Sequence, residues 1–428
     1  MQKAQGEVLA KAVFTSGANT YTYGQETTDI LLKVTHPEQP WSQKAQVLVE
    51  NYSNNLTSLS LEGYQGVLSY GYRTSAGDEY SATAPLKIKG QELINSNGRL
   101  SCLFDLYGIP DQLADDHASE PFSMESSDTR TVKTLISAVL GGTLAPFSHC
   151  TAITVTYDSE DSLIDTFKPA DYFRISIGKT RLACLKELLS YTKCVARAEA
   201  DGAIHISSPT VSGSTYAYEY NDDFAATSHG FYSKIYRNRL VLPNKITVKS
   251  SNEHEPQYTG SATDATSFAL LPKQDFIPMR LASDAQATAI AEAMIQKLQV
   301  ESEKGNGFAP MNVGQEVHDY IKITDSVEND NRTGNIGYLT RYYEAGRFNF
   351  GFGFGDILLS GVAGIMIPSG SGATAAPSYV TYSDLYAMWD ILNGNMKQIT
   401  DYLTAMEDNA VFKKLTVTDS LIIPSEAA

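Results

Sequence analysis

The chain has 428 residues, room for about two to four domains and a large buried core. Apolar residues make up 42% and charged residues 19%, the balance of a globular protein and not of a disordered one. Lys and Arg total 33 against 49 Asp and Glu, and the formal charge of -16 argues against a basic DNA-binding face and against docking on an anionic membrane.

The aromatic set of 25 Tyr, 16 Phe and 2 Trp favours strands and half-buried surfaces, so a mainly β protein is expected. Residues 1–118 read as short strands separated by turns. Ile30–Val34 and Ala45–Glu50 are strand-like, Ser53-Asn54-Asn55 is a turn, and Leu56–Leu61 reads as the next strand. Pro85–Lys89 leads to Asn95-Ser96-Asn97-Gly98, where Asn and Gly tolerate positive φ and close a hairpin. Leu100, Cys102, Phe104 and Leu106 then alternate, which places all four on one sheet face. Several short strands at this spacing predict a first β-barrel or sandwich.

Residues 119–213 change to an α+β character. Val132, Leu135, Ile136, Val139 and Leu140 recur at helical spacing, and Gly141-Gly142 ends the run. Leu182, Leu185, Leu188 and Leu189 form a second apolar stripe with Thr180 as its cap. Cys194–Ile206 holds two short strands around Asp201-Gly202, a type I′ turn signal.

Residues 214–368 return to β and predict a second barrel. One helix interrupts it, opened by the Ser283/Gln286 capping box, with Ile290, Met294 and Leu298 on one face. Tyr320–Asp325, Asn335–Tyr343 and Phe348–Phe354 are strands. In the last, four Phe alternate with Asn349, Gly351 and Gly353; its second face could lie close against another backbone, and an ordinary barrel strand is the simpler reading. Residues 369–380 have the composition of a flexible linker.

From Thr381 the chain turns helical, with Thr381 and Asp384 as a capping box. Leu385, Trp389, Leu392, Met396, Ile399, Leu403, Met406 and Ala410 follow at alternating steps of four and three, an unbroken heptad seam. A globular helix carries a wider stripe of period 3.6, from which this seam drifts by about 80° over four heptads. Residues 381–428 therefore predict a coiled coil plus a short β tail, Phe412–Ile423. Leu403 at an a position beside Ile399 at d, with Trp389 also at a, favours a trimer over a dimer.

Motifs of catalysis are missing. Cys102, Cys150, Cys184 and Cys194 show no C-x-x-C spacing and read as free thiols. No His pair has metal-ligand spacing, and there is no G-x-S-x-G or phosphate-binding loop. Asn329-Asp330-Asn331-Arg332-Thr333-Gly334 resembles the start of a calcium loop, but Thr340 stands where a twelfth-position Glu is required, so a hairpin turn is expected. Asp158, Glu160, Asp161 and Asp165 could hold a cation or supply paired carboxylates; a solvated loop is the simpler reading. No catalytic residue, cofactor site or metal site is assigned. No secretory signal opens the chain, and Ile357–Ile367 is too short and broken to span a bilayer, so no membrane anchor is expected.

Several segments together resemble the baseplate-hub or tail-tip hub proteins of bacteriophage tails. Gly66-Val67-Leu68-Ser69-Tyr70-Gly71-Tyr72, Ala84-Pro85-Leu86-Lys87-Ile88 and Gly98-Arg99-Leu100-Ser101-Cys102 look like the opening barrel of that family. Gly178-Lys179-Thr180-Arg181-Leu182, Cys194-Val195-Ala196-Arg197 and Asp201-Gly202 look like its middle domain. Asn238–Val248, Glu316–Ser326 and Thr333–Ile336 look like its second barrel. The resemblance covers residues 1–365. It implies a homotrimer in which two barrels per chain make a pseudo-sixfold ring in the virion, made in the bacterial cytoplasm. Its partners would be the tail-tube or distal-tail ring, a tape-measure protein and a tip fibre or spike. DNA would pass without specific binding, along an acidic lumen. Two alternatives stand beside it: a trimeric receptor-binding or carbohydrate-active tail protein, and the hub of a contractile injection system.

Overall fold

The computed structural model describes residues 7–24, 31–222, 229–237, 240–250, 256–302, 304–354, 416–417 and 421–422. The chain divides into two compact units, Met1–Ile357 and Leu358–Ala428. The heptad seam and the linker lie outside the described residues. In the second unit, β24 (Thr416–Val417) pairs antiparallel with β25 (Leu421–Ile422), within the run expected to be a β tail.

The first unit is mainly β. It begins with β1 (Val8–Ser16), β2 (Asn19–Gly24), β3 (Leu31–Gln39), β4 (Ser42–Glu50), β5 (Gln65–Thr74), β6 (Gly77–Ala82), β7 (Leu86–Ser96) and β8 (Arg99–Gly108). The β7–β8 turn carries Asn97 and Gly98 at φ 52° and 77°, as its residues predict. Cys102, Phe104 and Leu106 are buried on one face of β8. Leu56–Leu61 is not a strand. Asn55–Ser58 is a 3-10 turn, entered through Asn54 in the left-handed region, and the Asn51 side chain accepts the Leu56 N–H at 3.1 Å. That local hydrogen bond outcompetes a ladder, while Leu56 and Leu61 remain in the core.

A middle segment follows: α1 (Ile109–Asp115), β9 (Phe122–Ser123), α2 (Val132–Leu140), β10 (Val155–Tyr157), α3 (Leu163–Thr166), β11 (Arg174–Ile175), α4 (Arg181–Ser190), β12 (Val195–Ala198) and β13 (Ile204–Ser207). Thr180 caps α4 by accepting the Ala183 N–H at 3.1 Å. Only Gly202 of the β12–β13 turn has positive φ, so the turn is not type I′. Fully buried Arg181 donates to Val139 O, Leu140 O and Thr151 O and pairs with Asp116 at 2.6 Å, closing the carbonyl end of α2.

The remainder is β14 (Tyr218–Asn221), β15 (His229–Gly230), β16 (Ser233–Arg237), β17 (Lys245–Ser250), β18 (Thr259–Thr263), α5 (Ala265–Leu270), β19 (Gln274–Met279), α6 (Asp284–Ser302), β20 (Lys304–Pro310), β21 (Tyr320–Asp325), β22 (Asp330–Glu344) and β23 (Arg347–Phe354). Ser283 accepts the Gln286 N–H at 3.1 Å, as the capping box requires.

Two features depart from a chain of separate barrels. First, β3 pairs with β4 on one edge and with β22 on the other, so a single fifteen-stranded sheet runs through both expected barrel regions. Both edges of β3 are used between Lys33 and Glu38. One core, from Ala10 and Phe14 to Phe350 and Phe352, lies under that sheet. Second, Ile246, Val248, Met279, Ile290 and Ala291, expected in the second barrel, share a core with α2 and α4 of the middle segment. The apolar pattern shows which faces are buried but not against which partner.

Phe350, Phe352 and Phe354 enter the sheet core as their alternation demands. On their glycine-rich face a Cβ on Gly351 would meet only the Gly307 carbonyl oxygen, at 3.9 Å, whereas Gly353 meets a ring. A Cβ on Gly353 would stand 2.0 Å from the Tyr338 ring, and Gly353 is the cross-strand partner of Tyr338.

Candidate functional site

The polar groups concentrate where the β12–β13 hairpin meets the segment before β21. Ala196, Ile204 and Ile206 point into the core. The alternation therefore turns Arg197 and His205, which are cross-strand partners, towards the other side. β10 runs parallel to β13 and delivers Asp158 beside His205. His205 Nδ1 lies 2.9 Å from Asp158, and Nε2 lies 3.1 Å from Asp201. Glu199 is 3.7 Å from Nδ1. Burial opposes a charge on His205, but the hydrogen bonds to Asp201 and Asp158 and the charge of Glu199 outweigh it and raise its pKa.

Arg197 carries the cluster across to the sheet. It pairs with Glu199 at 2.5 Å, Glu316 at 3.0 Å and Asp319 at 3.4 Å, and donates to Val317 O at 3.2 Å. Asp319 accepts the Glu316 N–H at 2.9 Å and Gln315 Nε2 at 2.8 Å. Burial still pushes its carboxyl up to about 6, and burial raises Glu316 as well. His318, at φ 72°, is a half-buried residue whose ring Nε2 is enclosed, and that burial lowers its imidazole to about 4.

A second network sits beneath. Arg341 of β22 and Glu38 of β3 form a buried ion pair, and Arg341 also donates to Gln315 O at 2.5 Å. His36 contacts Glu38, Gln43 and Tyr70, each at 3.3 Å. Tyr220 donates to Gln315 at 2.7 Å and accepts from Asn312 at 2.9 Å. Burial brings the Arg341 guanidinium down to about 9 and, aided by the Arg341 charge, holds His36 well below its usual range. Glu38, Gln43, Thr83, Arg197, Glu316 and Arg341 line a cleft of about 40 Å³.

The chemistry of this junction is that of a joint. Each cationic side chain in it is held by carboxylates, Arg197 by three, His205 by Asp158 and Asp201, and Arg341 by Glu38. Oxygen and nitrogen atoms of Asp158, Glu199 and His205 come within 4.8 Å of one another. Carboxylates face both ring nitrogens, an arrangement that favours the doubly protonated imidazolium.

The acidic group expected on a solvated loop is dispersed. Asp158 joins His205, whereas Glu160 and Asp165 pair with Lys133 at 2.6 and 3.2 Å. Asp161 accepts the Lys193 N–H at 3.0 Å. In the calcium-like run the turn falls earlier than expected, at 326–329, and Asp330 binds Lys234 and Arg332. All four cysteines are free, with Cys102, Cys184 and Cys194 buried and Cys150 half-buried. The seam residues Leu385 to Ala410 lie outside the described residues. Motif reasoning missed Arg181, Arg197 and Arg341. For Arg341 a signal was present, because it shares the inward face of β22 with Leu339 and Tyr343.

No protein-family model and no curated protein matches this sequence. Solved structures do. A tail protein from Neisseria meningitidis MC58 matches with a TM-score of 0.56 at 9% identity, over 81% of this chain and 96% of that one. The 43 kDa tail protein of prophage MuSo2 from Shewanella oneidensis matches with a TM-score of 0.51 at 12% identity, over 81% of this chain and 98% of that one.

Proposed function

Since this chain is similar in fold to a tail protein and to a prophage tail protein, we propose that it is a structural hub of a phage tail tip. The observation that carries this reading is the match over nearly the whole length of those two tail proteins. The ion-paired junction supports it, because a network of paired charges that ties a hairpin to a sheet stiffens a scaffold.

In this reading the chain acts as a homotrimer held by the seam Leu385, Trp389, Leu392, Met396, Ile399, Leu403, Met406 and Ala410. The trimer joins the tail-tube or distal-tail ring to the tape-measure protein and the tip fibre or spike. The excess of acid lines the conduit, where it repels phosphate instead of releasing its counterions. Non-enzymatic work is part of the same proposal. The sugar-binding alternative is not favoured, since Trp41 packs against the middle core with the Lys186 ammonium 5.2 Å from its ring. The hub of a contractile injection system would use the same architecture.

Electron microscopy of the purified full chain tests the proposal. Threefold rings around a central hole with an acidic inner surface are expected. A monomer of 46.7 kDa in solution would overturn the trimeric hub, and turnover of a host surface polysaccharide would overturn the structural role.

A further inference from the structure

We propose that the β12–β13 hairpin is a proton-controlled latch, closed onto the segment 316–319 when His205 is protonated and loosened when it is not. The argument rests on how the charges are shared. Five carboxylates converge there: Asp158 after β10, Glu199 and Asp201 on the hairpin turn, and Glu316 and Asp319 before β21. Against them stand Arg197, which is always charged, and His205, which is charged only with both nitrogens protonated. His318, the other titratable group of that segment, has its ring Nε2 enclosed and is neutral.

Glu199 is the shared element. One of its oxygens holds the Arg197 guanidinium at 2.5 Å, and the other faces His205 at 3.7 Å. Arg197 in turn is the contact between the hairpin and Glu316, Asp319 and Val317 O. Protonated His205 hydrogen-bonds both Asp158 and Asp201 and offsets one of their two charges, which leaves Arg197 free to bridge to the sheet. Without that proton, a ring nitrogen lone pair faces a carboxylate oxygen, and Arg197 alone must balance five acids. The hairpin then repels the segment it rests on.

The direction in pH follows. His205, Asp319 and Glu316 are all raised, so at these three groups the folded joint holds more protons than the unfolded chain, while His318, lowered to about 4, acts in the opposite sense below its ordinary 6.5. Each of the three raised groups contributes stability that is present at low pH and lost as pH rises through its folded value. Asp201 is lowered and acts below the ordinary carboxylate range, outside this window. The latch closes on mild acidification and loosens above neutrality.

Hydrogen exchange of the full chain tests this, read as protection factors so that the intrinsic pH dependence of exchange drops out. Amides 195–207 should lose roughly tenfold in protection between about pH 5.5 and about pH 8. In His205→Gln the same amides should show the high-pH protection at both values. Asp158→Asn should move the transition to lower pH, and it serves where the first variant fails to fold. Flat protection in the unsubstituted chain, or an unchanged pH dependence in both variants, overturns the latch. A change in protection at about pH 8 on adding EDTA would show a bound cation in place of the proton and would overturn it too.

Discussion

Arg341 and Glu38 meet as a buried ion pair at the line where β22 lies beside β3. Glu38 comes from the first strands of the chain and Arg341 from the last strands of its sheet, so this pair sits on the bond between two distant parts of the sequence. Removing one partner leaves the other charge buried without compensation. Arg341→Leu should cost about 3 kcal/mol in urea unfolding. The double change with Glu38→Leu should recover most of that loss, because two buried charges then disappear together. A double variant whose loss equals the sum of the two single losses would show that the pair is not coupled.

Arg181 provides a second test, in the other core. Its guanidinium closes the end of α2 and holds Asp116. Arg181→Met keeps the packing volume but strands those carbonyls, and should destabilise by about 3 kcal/mol. Arg181→Lys, a point charge without the planar fork, should recover only part of it. The expected readout is a lower thermal midpoint with loss of protection in residues 132–151.

His318 makes the chain sensitive to acid in the sense opposite to His205. Its folded pKa of about 4 lies below the ordinary value of 6.5, so the unfolded state takes up the proton first. Its contribution is intact above 6.5 and is lost as pH falls towards 4, by about 3 kcal/mol. His318→Asn removes that group, and Asn tolerates the left-handed backbone found there. Stability measured from about pH 7 to about pH 4 should fall less steeply in this variant. An unchanged slope would assign the acid sensitivity elsewhere.

Gly71 tests the β5–β6 pairing. A Cβ there would stand 2.0 Å from the carbonyl oxygen of Glu79, which is backbone and cannot swing aside. Gly71→Ala should displace β6, cost about 1–3 kcal/mol and open residues 75–80 to limited proteolysis. Wild-type resistance to protease would contradict this register.

The coiled-coil proposal has the simplest test. Chain ending at residue 378 lacks the whole seam and should lose its trimeric mass in solution, while the full chain keeps it. A truncated chain that stays trimeric and equally stable would remove the seam from the assembly.

Much of the fold was legible because it is written locally. Alternation located β8, β21 and β23, helical spacing located α2 and α4, and Asn97-Gly98 located a turn. These signals name an element and its buried face. They do not name a partner, which is why the pairing of β3 with β22 and the packing of α6 against the middle core were not foreseen. The junction was legible only in fragments for the same reason. Asp158 was noticed as one acid among four, yet its partner is His205, 47 residues away. Arg197, Glu316 and Asp319 lie on elements that sequence spacing does not connect.

The β3–β22 ladder also bears on how the chain is made. Lys33 pairs with Glu344, so one edge of β3 waits about 300 residues for its neighbour. At about 5–20 residues per second that wait lasts roughly 15–60 s on the ribosome. Throughout it, the N-terminal strands present an open edge to other nascent chains. Lys33, Pro37 and Glu38 stand on that edge, and charge and proline are what keep a strand from joining the wrong neighbour. The residues that seat β3 in the finished sheet are thus also its guard during synthesis.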